Sequence, residues 1–144
     1  MSREYQASAT LEAFILRIAP PHVVDVHGPS NWTELQATLS RPINAPLPVN
    51  PFGAEGSIYS TVAANIAFRA WHDTLHLELG ADFGSAGEYA VACEHRRVAR
   101  AAGLCYEDIA ALWCDTWLTF QYAAQHGGAF PSNPRAFVAQ AMES

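Results

Sequence analysis

Apolar positions in this chain recur mostly three and four residues apart, the period of a helix, with little of the alternation that marks strands. Residues 10–19 (TLEAFILRIA) predict a short amphipathic helix with Thr10 as N-cap, stopped by Pro20-Pro21. PHVVDVHG, which follows, reads either as a short extended piece or as a loop. Residues 31–39 (NWTELQATL) predict a second short helix capped by Ser30 or Asn31. Residues 41–56 hold four prolines and two glycines and predict an irregular loop. Its length points to a functional or packing role. A long helix is predicted from 57 to 79, ended by Gly80. After the turn Asp82-Phe83-Gly84, a helix from 85 to 102 begins with Ser85 and Glu88 spaced as a capping box. The segment 107–125 is apolar nearly all round and predicts the central, most buried helix. Asn133-Pro134 opens a last helix that ends near 142, with Pro at its first position. No internal repeat is present. The fold class expected is all-α: one domain over 1–144, a compact bundle of three main helices with shorter N- and C-terminal helices and the Pro-rich loop.

On the long helix, at about 100° per residue, Asn65, Arg69, His72 and His76 form one narrow stripe. Ile58, Val62, Ile66, Phe68, Leu75 and Leu79 flank it, so the polar stripe lies inside the apolar face. Buried imidazole and guanidinium groups cost several kcal/mol unless paired or bound to a metal. The next helix repeats the pattern: Glu88 and His95 fall with Val91, Ala92, Val98 and Ala99 on the inner side. On the third helix Asp115, Thr119, Tyr122 and His126 make another stripe. Antiparallel neighbours joined by short loops can bring such stripes together, so the site is expected within 57–130.

Composition narrows this reading. Half of the 144 residues are hydrophobic and only 15% are charged, against a typical quarter. That predicts extensive buried surface and leaves room for a homo-oligomer. The formal charge of −6 disfavours nonspecific nucleic-acid binding, although Arg96, Arg97 and Arg100 cluster locally. Three cysteines, Cys93, Cys105 and Cys114, lack zinc-knuckle spacing and read as buried reduced thiols. No apolar run of about 18 residues and no signal-peptide pattern occur. A cytoplasmic protein without a membrane partner is expected.

Imidazole and carboxylate together suit a divalent metal such as Zn, Mn, Fe or Ni. The candidate ligands are His72, His76, His95 and Asp73, with Glu88 and Asp115 as ligand or general base. Arg69 would hold an anionic substrate group; Asn65, Thr119 and Tyr122 would support from behind. Plainer readings remain open. Glu88 can simply close the capping box, and His95 can be a core histidine on a carbonyl. Asp115 can pair with Arg69, and Tyr122 and tryptophans 71, 113 and 117 can be packing.

The stretch FRAWHDTLHLELGADFGSAGEYAVACEH, with LWCDT and QYAAQHGGAF, resembles a loose group of small uncharacterised phage proteins. Arg69, His72, Asp73, His76, Phe83, Glu88, His95 and Asp115 match its pattern, while Thr119 stands where that group often has Gln. The resemblance implies a phage or mobile-element origin, and so the host cytoplasm, and a shared site. His72-Asp73 and Asp115 also resemble the HD-domain metal phosphohydrolases, with His22 or His27 as their first His; the usual Gly after His-Asp is absent. The function expected is a metal-dependent hydrolase of a phosphate-containing substrate, a nucleotide or nucleic acid. The alternatives are an inhibitor of a host defence system acting by binding a host protein, and a non-catalytic small-ligand binder.

Overall fold

Ser8 starts the first helix. Its hydroxyl accepts the Leu11 N–H at 3.0 Å and donates to Asp108 at 2.8 Å. In the computed structural model, which describes residues 3–144, helix α1 spans Ala9–Ile18. Leu11, Phe14 and Ile15 form its buried face and pack on a long helix, α3 (Val62–Leu79). The cap is thus Ser8, not Thr10. PHVVDVHG contains a strand, β1 (His22–Val24), which pairs in parallel with β2 (Leu47–Val49), His22 opposite Leu47. Between them lie α2 (Trp32–Ala37) and a 3₁₀ turn, Thr38–Ser40. Asn31 caps α2 by accepting the Glu34 N–H, and Glu34 reaches back to the Ser30 N–H.

The Pro-rich loop is no loose excursion. Val49 and Ala54 bury against Ile66 and Ala70 of α3. Gly28 lies so close to it that a Cβ there would come within 2.8 Å of the Asn50 nitrogen.

Helix α3 starts five residues later than its pattern predicts. Residues 57–60 are held off the helix because Glu12 takes both the N–H and the hydroxyl of Ser60 at 2.8 Å. Ile58 and Tyr59 are buried as irregular chain, and Thr61 supplies the N-cap. Helix α4 (Ser85–Ala101) runs back beside α3. It is followed by α5 (Tyr106–Trp113), a π-helical stretch Cys114–Leu118, α6 (Thr119–Gln125) and α7 (Pro134–Met142). The fold is all-α apart from the two short strands.

Two expectations are corrected. The most central helix is α3, which packs on α1, α2, α4 and both strands. The segment 106–125 instead leaves Trp113, Trp117 and Phe120 half-buried on an outer face. Cys105 is exposed and Cys93 half-buried, so only Cys114 is a buried thiol. One continuous core joins α1, α3, α4, α5 and α7, each fully buried large apolar side chain contributing about 1.5–3 kcal/mol. Among the described residues no helix is long and apolar enough to cross a membrane.

Helix α4 opens against the preceding turn. A Cβ on Gly87 would lie 2.0 Å from the Asp82 carbonyl oxygen. Alanine has the better helix propensity by about 1 kcal/mol, but a backbone clash of that depth outweighs it. Gly87→Ala is expected to lower stability by about 3 kcal/mol or more, about 10 °C in Tm for a chain of this size. An unchanged or higher melting temperature by calorimetry would show that the contact yields.

Candidate metal centre

Helix α3 places His72 and His76 one turn apart, their ring centroids 4.7 Å from each other. Gly80, at φ 62°, ends the helix. The Gly80 N–H then reaches the Leu77 carbonyl and the Ala81 N–H the His76 carbonyl, the double bond of a Schellman ending. This turn aims the Ala81 carbonyl back at the His76 ring, which donates its Nδ1–H to it at 2.8 Å. A carbonyl can only accept, so the neutral His76 ring carries its proton on Nδ1 and presents a lone pair at Nε2.

That lone pair faces two others. His76 Nε2 lies 3.1 Å from His72 Nε2 and 3.4 Å from Glu88 Oε2, and His72 Nε2 lies 3.3 Å from the same oxygen. Glu88 is not closing a capping box: α4 is N-capped by Gly84 without any side-chain bond, and the carboxylate turns inward instead. Tetrahedral ligands at bond lengths of about 2.0–2.1 Å sit about 3.3–3.4 Å apart. The triangle has that size. Two imidazoles and one carboxylate leave a fourth position open, the ligand set of several zinc hydrolases and of non-haem iron centres. Among the described residues this is the group able to hold a metal ion.

Electrostatics favour a cation here. Burial works against charge on both Glu88 and His76. When the His72 and His76 rings are protonated, their hydrogen bonds and charge nonetheless hold Glu88 down at about 2. The Glu88 carboxylate and the Ala81 carbonyl raise His76 above its usual value. Aromatic rings wall the triangle: Phe83 and Trp32 lie 4.7 and 6.3 Å from His76, and Phe68 stacks on His72 at 5.8 Å. His76 is fully buried, while the His72 and Glu88 side chains keep 18% and 14% exposure. Access is therefore from the His72 and Glu88 side.

The remaining expected residues fall elsewhere. His95 lies on the far side of His72, its Nε2 3.3 Å from His72 Nδ1. It is buried, held neutral by that burial and by the neighbouring imidazoles, and can accept the His72 Nδ1–H. That orients His72 as a carbonyl or carboxylate behind a metal-bound histidine does, so His95 supports the triangle and is not part of it. Asp73 is also outside the triangle. It lines an adjoining pocket of about 360 Å³ with His72, Arg69, Phe68, Asn50 and Phe52. Burial raises the Asp73 carboxyl above its usual range, with His72, His76 and Arg69 pulling the other way. Arg69 is tied by Nη1 to the carbonyls of Asn50 and Phe52 at 3.0 and 2.7 Å.

Asp115 does not join the centre. Among the described residues no hydrogen bond or ion pair links it to the triangle, nor to Arg69. The third stripe fails with it. Thr119 bonds the Asp115 and Thr116 carbonyls, and Tyr122 stacks on the exposed His126 ring. Asn65 Oδ1 is buried without a partner. His22 bonds the Pro20 carbonyl and His27 is exposed, so neither reaches the triangle. Trp32 and the Asn50–Phe52 wall were not singled out from sequence, and Phe83 entered only as a matching position of the resemblance. Their signals were an aromatic on a short polar helix, an aromatic in the turn between the ligand helices, and the length of the Pro-rich loop.

No family model, curated protein or solved structure matches the chain.

Asp115 carries a measurable cost. Burial pushes its carboxyl from 3.8 up to about 7, and only the Arg69 charge opposes. Between those values the native state binds more protons than the unfolded chain, so this group's effect on stability worsens as pH rises from about 4 to about 7 and then levels. Asp115→Asn should melt above the parent at pH 8, with the gap closing toward pH 4. Parallel Tm–pH curves for the two proteins would contradict this burial effect.

Proposed function

We propose that the protein is a divalent-metal-dependent hydrolase of a phosphate-containing substrate, with His72, His76 and Glu88 holding the ion. The observation that carries this is the ligand triangle, sized for tetrahedral coordination, beside a pocket that holds one acid and one guanidinium. Its size favours zinc over ions that prefer right-angled coordination, for which the same bond lengths give separations of about 2.9 Å.

A metal held by His72, His76 and Glu88 would lower the pKa of water and polarise a phosphoryl oxygen. The chain's own residues supply the rest. Arg69, pinned by two carbonyls, keeps further N–H donors for the phosphate without having to be ordered first. Asp73, whose raised affinity for a proton suits a general base, takes the proton of the attacking water. As the P–O ester bond breaks, the same carboxyl returns that proton to the leaving oxygen. His95 and the Ala81 carbonyl fix the two imidazole tautomers. This assignment takes the ligand role of the two expected for Glu88 and moves Asp73 from ligand to base.

A second reading, action by binding another protein, draws on Leu39 and Ile43, which are 67% and 97% exposed. The two separate cleanly. Protein expressed with zinc should carry about one ion per chain by elemental analysis, and chelation should lower Tm. An ion at about 100 times its Kd adds about 2.7 kcal/mol. The double variant His72→Ala, His76→Ala should lose the metal. Asp73→Asn should keep it and lose about 10²–10⁴-fold in kcat on an activated phosphoester. Metal-free protein with an unchanged melting curve on chelation would rule out the hydrolase.

A further inference from the structure

The pocket beside the triangle limits what can be hydrolysed. At about 360 Å³ it sits near the lower end of small-molecule sites, about 300–1,000 Å³. It holds a single cation, Arg69. All eight basic side chains of the chain are arginines, and Arg69 is the one among them that lines this pocket. Arg3, Arg96 and Arg100 line a different cavity, Arg97 pairs with Glu94, and Arg135 donates to the Ser57 and Tyr59 carbonyls. A polynucleotide needs several phosphate contacts along a track, and the lining of this pocket offers one arginine.

Phe52 gives the pocket its second character. The residue is 71% exposed, yet its backbone is clamped on both sides. The Phe52 N–H donates to Asn50 Oδ1 at 2.9 Å, and its carbonyl accepts from Arg69 at 2.7 Å. A phenyl ring held out to solvent on a fixed backbone, next to the one anion-binding side chain of the pocket, is a prepared stacking surface. Phe68, buried and stacked on His72, adds a second aromatic wall.

We infer that the substrate is a small phosphoester of mononucleotide size carrying a planar ring. The phosphate lies between the triangle and Arg69, and the ring lies on Phe52. This rests on the metal-centre reading above and excludes nucleic acid chains from it.

The test is calorimetric titration of zinc-loaded Asp73→Asn protein, which holds ligand without turning it over. The probes are adenosine 5′-monophosphate, ribose 5-phosphate, inorganic phosphate and a twelve-residue oligothymidylate, with zinc content measured on the same samples. Adenosine monophosphate should bind tightest. Adding Phe52→Ala should weaken it about 5- to 150-fold, the range for loss of one base–aromatic stack, and leave inorganic phosphate unchanged. Phe52→Trp should restore it. Equal affinity for adenosine monophosphate and phosphate, or tighter binding of the oligonucleotide, would overturn the inference while the zinc remains bound. Samples without zinc would overturn it together with the reading it rests on.

Discussion

A carboxylate buried between two imidazole lone pairs is the constraint on which this molecule turns. Glu88 leaves water to meet His72 and His76, and none of the three Nε2 or Oε2 atoms has a proton to spare in the neutral, Ala81-bonded tautomer of His76. The arrangement is stable only around a shared positive charge, either a proton or a metal ion. A proton satisfies one pair of the triangle at a time; a divalent ion satisfies all three atoms at once. Every neighbouring element sharpens this choice. The Schellman ending of α3 fixes one ring, His95 fixes the other, and Phe83, Trp32 and Phe68 keep water from dissolving the cluster.

The first third of the chain turns this centre into a site. On its own, the α3–α4 pair would leave the exposed edges of His72 and Glu88 facing solvent. Strand β2 and the residues after it bury Val49 and Ala54 on α3 and bring Asn50 and Phe52 alongside. Arg69 bonds that wall through two backbone carbonyls, so the residue that would hold an anion also holds the wall. On the proposed reading, recognition and architecture share one guanidinium. That economy explains how a Pro-rich segment with hardly any regular structure keeps a defined position.

The inner stripe of α3 was legible in the sequence because His72, His76 and Arg69 interrupt a face that is otherwise apolar, and helical geometry allows no other direction for them. The pairing with Glu88 and His95 was legible for the same reason. Their roles were not. A helical wheel gives direction but not depth, and His95 differs from Glu88 only in lying two turns further along α4, behind His72. Asp115 misled because the wheel assumes 3.6 residues per turn. The π-helical stretch at Cys114–Leu118 breaks that phase, so Asp115, Thr119, Tyr122 and His126 do not form one working line. The start of α3 was misplaced because a distant residue, Glu12, captures Ser60, and no local pattern reports such a contact.

The turn between α3 and α4 also acts as a ruler. Leu79 and Ser85 are separated by a few residues with no slack, since Gly87 already rests on the Asp82 backbone. One residue more or fewer would rotate Glu88 by about 100° or slide it by about 1.5 Å relative to the histidines, enough to open the triangle. A length change within 80–84 would therefore break the centre. The exposed glycine-bearing link at 126–133 sets no such distance. Any distant cousin that keeps the centre should keep eleven residues between the second histidine and the glutamate, whatever else it has lost.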